Sequence, residues 1–354
     1  MKNKTGFWRI TFDTNPNDCN LHCIMCEHHS RYSAVETNRI LANKPKEQMP
    51  IELIRRVLES AKNSRLREII PSTMGEPLLY KDFEQIIELC KEFGVKLNLT
   101  TNGTFSIKGA TSWAKLVVPI TSDVKISWNG ATRTTQETIM QGSNFEKGIQ
   151  NIKDFLKVRN EYASNGKNYC QVTLQLTFME TNLYELEDII RLAIDLGIDR
   201  VKGHHLWINF AEIEQLSLRR NTESIFKWNK VVLNIKKIAA ENLLPNGKNI
   251  SLVNFDILDS GAIQNINSNA ICPFLGNEAW IAPDGHFSPC CAPDILRKKL
   301  GDFGNVNERD ILDIWHDKDY QYLLKNYMQN SVCVTCNMRR LPDELCCSSK
   351  GTKI

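Results

Sequence analysis

Apolar positions in this chain switch repeatedly between a period of two and a period near 3.6, the mark of strands alternating with helices. Trp8-Arg-Ile-Thr-Phe-Asp-Thr14 reads as the first strand. Pro50, at a plausible first helical position, opens a helix from Ile51 to Lys62 with apolar residues at Ile51, Ile54, Val57 and Leu58. Arg67-Glu-Ile-Ile-Pro-Ser-Thr73 is the second strand. It runs into Met74-Gly-Glu-Pro77, and a helix from about Asp82 to Phe93 carries Phe83, Ile86, Ile87, Leu89 and Cys90 on one broad face. The same unit then recurs. Val95–Thr101 ends at Asn102-Gly103, Asp123–Trp128 at Asn129-Gly130, and Gln171–Phe178 at Glu180-Thr-Asn182. A helix from Leu183 to Leu196 stops at Gly197, a suitable residue just beyond a helix end, and Arg200–Trp207 forms a sixth strand. Strand, turn and helix in alternation predict an α/β fold with a parallel sheet joined by crossovers.

The remainder is less regular. One helix, about Thr222 to Asn242, and one strand, about Ile250 to Phe255, precede a polar linker, Asp259 to Asn269, that reads as a boundary. Beyond it, Ala279 to Cys291 reads as strand, Pro-Asp-Gly turn and strand, a hairpin that delivers cysteines at its edges. The expected organisation is a core over 1–210, a helical extension and linker over 211–268, and a small C-terminal unit over 269–354.

Composition narrows the classes. Lys and Arg total 44 against 41 Asp and Glu, a balance of +3, and the basic residues form no stripe, so nucleic-acid binding is not expected. The first residues lack the apolar core of a signal peptide and no run of about 18 apolar residues occurs, so a cytoplasmic protein with no membrane partner is expected. Twelve cysteines in such a chain read as reduced metal ligands rather than disulfides.

Three of those cysteines stand close together just after the first strand, in Cys19-Asn-Leu-His-Cys23-Ile-Met-Cys26. Four thiolates would saturate a cubane iron–sulfur cluster, whereas three leave one iron open to a ligand, and an open metal position is the mark of chemistry. The alternative is a zinc knuckle that adds His22, His28 or His29. The spacing resembles the signature of radical S-adenosylmethionine (SAM) enzymes, with Met25 where the family often has an aromatic residue. The resemblance implies a [4Fe–4S] cluster on Cys19, Cys23 and Cys26 whose open iron chelates SAM. It also implies reductive cleavage of SAM to a 5′-deoxyadenosyl radical that takes a hydrogen atom from substrate, and a reducing partner such as flavodoxin or ferredoxin. The fold it implies is a partial (βα)6 TIM-like barrel, with its active site at the C-terminal ends of the strands.

Polar residues at those ends gain meaning from the resemblance. Met74-Gly75-Glu76-Pro77 is similar to the family's Gly-Gly-Glu segment, which holds the amino group of SAM, with Met74 in place of the first glycine. Asn102, Ser127 and Asn129 fall where the family contacts the SAM ribose and carboxylate; the plain alternative is that they cap strands and start turns. His204 and His205 close the sixth strand, where alternation lets at most one point inward. They are candidate catalytic residues, or else packed histidines.

Cys272, Cys290 and the pair Cys333-Val-Thr-Cys336 form a second set, four thiols in two pairs. Such a set suits a saturated, electron-transferring cluster, and also suits structural zinc. With Leu300-Gly-Asp-Phe-Gly-Asn and Asp313-Ile-Trp315, the pattern resembles the SPASM domain and its shorter twitch form. The resemblance implies a second [4Fe–4S] cluster that accepts the substrate's second electron. Cys90 and Cys170 lie in apolar elements and read as packed thiols, whereas Cys346 and Cys347 read as a hydrogen-atom donor, a ligand or a tail; Cys347 joins the catalytic candidates.

The reaction expected from the resemblance is modification of a peptide or protein residue by hydrogen abstraction. Only about seven residues precede the first strand, so no fused leader-binding unit is expected. The alternatives are dehydrogenation or epimerisation of a sugar or aminocyclitol, and, outside catalysis, an iron–sulfur or zinc binding protein.

Overall fold

The computed structural model describes residues 6–72, 74–259, 269–336 and 338–341. Six strands lie where the alternation predicts them: β1 (Arg9–Phe12), β2 (Glu68–Ile70), β3 (Lys96–Thr101), β4 (Thr121–Ser127), β5 (Gln171–Phe178) and β6 (Arg200–His205). Between and after them run α1 (Val35–Leu41), α2 (Ile51–Ser60), α3 (Phe83–Phe93), α4 (Ala110–Val117), α5 (Arg133–Ile139), α6 (Phe145–Ser164), α7 (Leu186–Leu196) and α8 (Thr222–Glu241). The stop after α7 is Gly197 at φ 76°, a left-handed conformation that glycine adopts without steric cost.

The sheet is larger than six strands. β7 (Ser251–Val253) pairs parallel to β6 at one edge, and β8 (Glu278–Ile281) pairs parallel to β1 at the other, with β9 (Phe287–Ser288) antiparallel to β8. The order is β7-β6-β5-β4-β3-β2-β1-β8-β9. Thus the first strand of the C-terminal hairpin extends the barrel wall. Arg9 fixes that join, because its guanidinium bridges Glu68 on β2 at 2.6 Å and Glu278 on β8 at 2.9 Å. The C-terminal helices α9 (Asp294–Arg297), α10 (Ile311–His316), α11 (Lys318–Asn326) and α12 (Ser331–Val334) follow the hairpin.

The outer face of the sheet buries the helices. α2 contributes Leu53, Ile54, Val57 and Leu58; α3 contributes Phe83, Ile86, Ile87, Leu89 and Cys90, on the face the spacing predicts. Trp228 of α8 is fully buried against Phe178 and Phe255. The inner face differs from a closed barrel, whose interior is filled by branched apolar side chains. Here it carries Arg9, Glu68, Asn98, Lys125 and Lys202, and encloses a cavity of about 1260 Å³.

Candidate active site

The triplet loop leaves the C-terminal end of β1 and is held by the turn after β2. A Cβ on Gly75 would be driven into the carbonyl oxygen of Asn15, and would lie 2.9 Å from that of Asp18, so only glycine lets the two segments approach. The approach is pinned by Glu76 N donating to Asp18 O at 2.8 Å and Asn15 Nδ2 to Glu76 O at 2.9 Å. On its other side the loop pairs with the end of α5, His22 N to Gln141 O at 2.8 Å and Ile24 N to Ile139 O at 3.0 Å. Leu21 and Ile24 are buried with Ile139, Met140, Met179 and Leu206, and Cys19 and Cys23 pack against that apolar group.

Burial raises all three thiols: Cys19 to about 11, Cys23 well above its usual 9.0, and Cys26 upward. Cys23 is raised further by Cys26 and Cys19, so three thiolates here require a cation. The donor set fits a cluster rather than one ion. Tetrahedral zinc would hold its sulfurs about 3.8 Å apart, from a Zn–S bond of about 2.3 Å. Among the described residues, the only group of three ligand atoms all within 4.8 Å is Glu27, His28 and Asp294, with no cysteine in it. The histidines of the zinc reading are engaged elsewhere: His29 Nε2 with Pro16 O at 2.8 Å, His22 Nδ1 with His29 O at 3.1 Å, and His28 Nε2 with Asp294 Oδ2 at 3.4 Å.

The other candidates separate. Glu76 is fully turned inward: its carboxylate accepts from Asn102 N and Thr101 Oγ1, both at 2.7 Å, and from Leu78 N at 3.3 Å. Burial pushes its pKa up to about 7 against those donors. Glu76 therefore sets the end of β3, and Asn102 carries that placement to the triplet, with Nδ2 3.8 Å from Cys19 Sγ and 2.8 Å from Asn20 Oδ1. Ser127 ends β4 half-buried. Asn129 is buried in a junction, accepting from Thr177 N at 2.8 Å through Oδ1, while Asn182 Nδ2 donates to its carbonyl at 3.1 Å. His204 lines the cavity, 3.4 Å from Thr177 Oγ1, and His205 points outward into the core, its ring 4.7 Å from that of Trp228. Cys346 and Cys347 lie outside the described residues.

Cys272, Cys290, Cys333 and Cys336 form one electrostatic neighbourhood: burial raises Cys290 to about 12, with Cys272, Cys336 and Cys333 adding repulsion. This donor set also fits a cluster. Cys291, whose role the spacing leaves open, and Glu27, which motif reasoning passed over, now stand out. Cys291 lines the cavity that Cys26 also lines, and Glu27, beside Cys26, accepts from Asp294 N at 3.0 Å and Ile295 N at 3.4 Å. The signal for Cys291 was its place next to Cys290, and its thiol is raised by burial and by Cys290, Cys336 and Cys272.

Two family models match. The radical SAM superfamily covers residues 16–165 and the SPASM iron–sulfur cluster-binding domain covers residues 272–337. The chain is a radical SAM enzyme. It is 24% identical over 341 residues to the tungsten-containing aldehyde ferredoxin oxidoreductase cofactor-modifying protein of Pyrococcus furiosus, covering 91% of this chain and 85% of that one. In fold it is similar to SuiB of Streptococcus suis, solved bound to the precursor peptide SuiA, with a TM-score of 0.65, 16% identity, and 94% and 71% of the two chains covered. It is also similar to anSMEcpe with bound AdoMet, with a TM-score of 0.64, 17% identity, and 97% and 95% covered. The mixed α/β barrel followed by a SPASM domain is thus the fold of these radical SAM enzymes, and its cofactors are iron–sulfur clusters and SAM. No helix among the described residues is long and apolar enough to cross a membrane.

Proposed function

We propose that this radical SAM enzyme abstracts a hydrogen atom from a residue of a peptide or protein, and that the C-terminal thiol set holds the cluster that accepts the second electron. The observation that carries the reading is the shared cavity: Cys26 of the triplet lines it, and so does Cys291, the neighbour of Cys290 of the C-terminal set. A substrate in that space lies between the two sets. SAM bound at the triplet cluster supplies the 5′-deoxyadenosyl radical on one-electron reduction, and an external donor such as flavodoxin or ferredoxin would provide the electron in the cytoplasm.

The chain's own residues prepare this. Gly75 and Asn15 clamp the triplet loop, and Glu76 orients Asn102 beside Cys19. His204 presents an imidazole that burial keeps neutral, lowered to about 4, so it offers a hydrogen-bonding ring rather than a positive charge. A substrate that fills the cavity would displace water from the space where a radical would form.

A second reading is favoured by the Pyrococcus furiosus relative, whose name makes it a cofactor-modifying protein and which matches along nearly the whole chain. On that reading the substrate is a small molecule that is, or becomes, part of an oxidoreductase cofactor. The test is anaerobic incubation with SAM, dithionite and deuterated cell extract, separated into peptide and small-molecule fractions. Deuterium in 5′-deoxyadenosine from the peptide fraction supports the first reading. Label from the small-molecule fraction alone supports the second and overturns the first.

A further inference from the structure

Most of the charges buried on the inner wall are paired, while Arg65, Arg67 and Lys96, which also line the cavity, are exposed. Arg9 is held between Glu68 and Glu278. Asp123 is shared by Arg200 and, at 3.8 Å, by Lys125, whose ammonium also reaches Asn98 Oδ1. Lys202 lines the same cavity on β6, on the inward face with Arg200 and His204, and its ammonium makes no hydrogen bond or ion pair with any described residue. Arg9, Lys125, Arg200 and Lys202 thus outnumber Glu68, Asp123 and Glu278, and Glu27, the other acidic residue of the lining, is taken by the N–H groups of Asp294 and Ile295.

Beside Lys202 in the β5–β6 register stands Gln175, which also lines the cavity and whose amide has no partner among the described residues. Gln175 is in register in turn with Ser127. Three adjacent strands therefore form one rung, Ser127, Gln175 and Lys202. At about 4.8 Å per strand, Lys202 stands roughly 10 Å from the candidate SAM residue Ser127.

An unpaired ammonium is tolerable while water reaches it. A substrate that fills the cavity displaces that water, and the charge then costs several kcal/mol unless the substrate brings its own counter-charge. The amide N–H groups of Gln175 add neutral donors for the same oxygen atoms.

We propose that the substrate carries an anionic group, a carboxylate or a phosphate, and that Lys202 with the Gln175 amide receives it. This rests on the enzyme reading above and narrows its substrate class. For a peptide the group is an acidic side chain or a terminal carboxylate; for a small molecule, a carboxylate or a phosphate ester. Burial, with Arg200 and Arg9 adding repulsion, lowers Lys202 to about 8, so it is available to acylating reagents at mildly alkaline pH. A bound anion would shield it and restore its proton.

The experiment is acylation of the reconstituted full chain at pH 8 with a small uncharged reagent, read at Lys202 by peptide mass spectrometry. Inorganic phosphate and acetate serve as probes, and exposed Lys236 is the internal reference. At saturation one or both probes should slow acylation of Lys202 about tenfold while leaving Lys236 unchanged. The probe that acts at the lower concentration names the group. No slowing by either, or equal slowing at Lys236, overturns the proposal. Lys202→Met should keep substrate-free cleavage of SAM to 5′-deoxyadenosine, which shows that it folds and loads its cofactors; loss of that cleavage would place Lys202 in the SAM machinery and overturn the proposal. Failure of the wild type to cleave SAM would contradict the enzyme reading alone and leave the protection result standing.

Discussion

Small side chains and backbone contacts bring the triplet loop and the strand ends together, and they give the sharpest single-site expectations. Gly75→Ala forces apart the turn after β2 and the loop at Asn15, so we expect a loss of about 1–3 kcal/mol, with reduced iron retention. A denaturation midpoint equal to wild type would contradict the close approach. Asn102→Ala removes the amide beside Cys19 Sγ and Asn20 without touching a thiol. SAM affinity should fall about tenfold with unchanged iron content; equal affinity in equilibrium binding would remove Asn102 from the site.

His204 gives a pH prediction whose sign follows from burial, the largest cause of its lowered value of about 4 against the usual 6.5. Between those values the unfolded chain binds the proton and the folded chain does not. The stabilisation is therefore complete above about pH 6.5 and is lost as pH falls toward 4. His205, lowered well below its usual value by the same burial, contributes in the same direction as pH falls below about 6.5. His204→Gln should reduce the slope of stability against pH there by about 1.4 kcal/mol per pH unit, one proton's worth. An unchanged slope in urea midpoints between pH 4 and 6.5 would show that His204 is solvated.

Among the elements, the link between the triplet loop and the C-terminal unit rests on Glu27, which caps the backbone N–H groups of Asp294 and Ile295, and on His28, whose Nε2 meets the Asp294 carboxylate. Glu27→Ala leaves those two donors without acceptors, so their hydrogen exchange should speed up by at least tenfold, for a loss of about 1–3 kcal/mol. Unchanged exchange at residues 294 and 295 would mean that the two loops do not depend on each other. The same scale shows what the chain disclosed in advance. The six principal strands and the helices α2, α3, α7 and α8 follow from strong periodicity and from stops such as Gly197. α6 carries its own signals, with Asn144 accepting from Lys147 N as a cap and Ile152, Phe155 and Leu156 buried, yet its many polar residues hid them. The pairing of β8 with β1 was not legible, because two strands some 270 positions apart are joined by register and by Arg9, neither of which leaves a local pattern.

At the scale of the whole molecule, the cysteine spacings pointed to two groups of thiols, and the structure makes each a neighbourhood, one within a single loop and one gathered from positions 272 to 336. Strand alternation announced that only one of His204 and His205 could face inward. The charged lining of the barrel was harder to see. Arg200, Lys202 and His204 alternate along β6, but alternation alone does not say which face meets helices and which meets a cavity. That is why Lys202 and Gln175 emerge only with the fold.

The central claim is that one chain holds two separate clusters, one of them on the triplet. The direct measurement is iron and sulfide content per chain after anaerobic reconstitution, for the wild type and for a variant with Cys19, Cys23 and Cys26 all changed to Ala. About eight irons in the wild type, falling to about four in the variant, is the expected result. An iron content that the triple substitution leaves unchanged, or zinc in place of iron at the triplet, would contradict it.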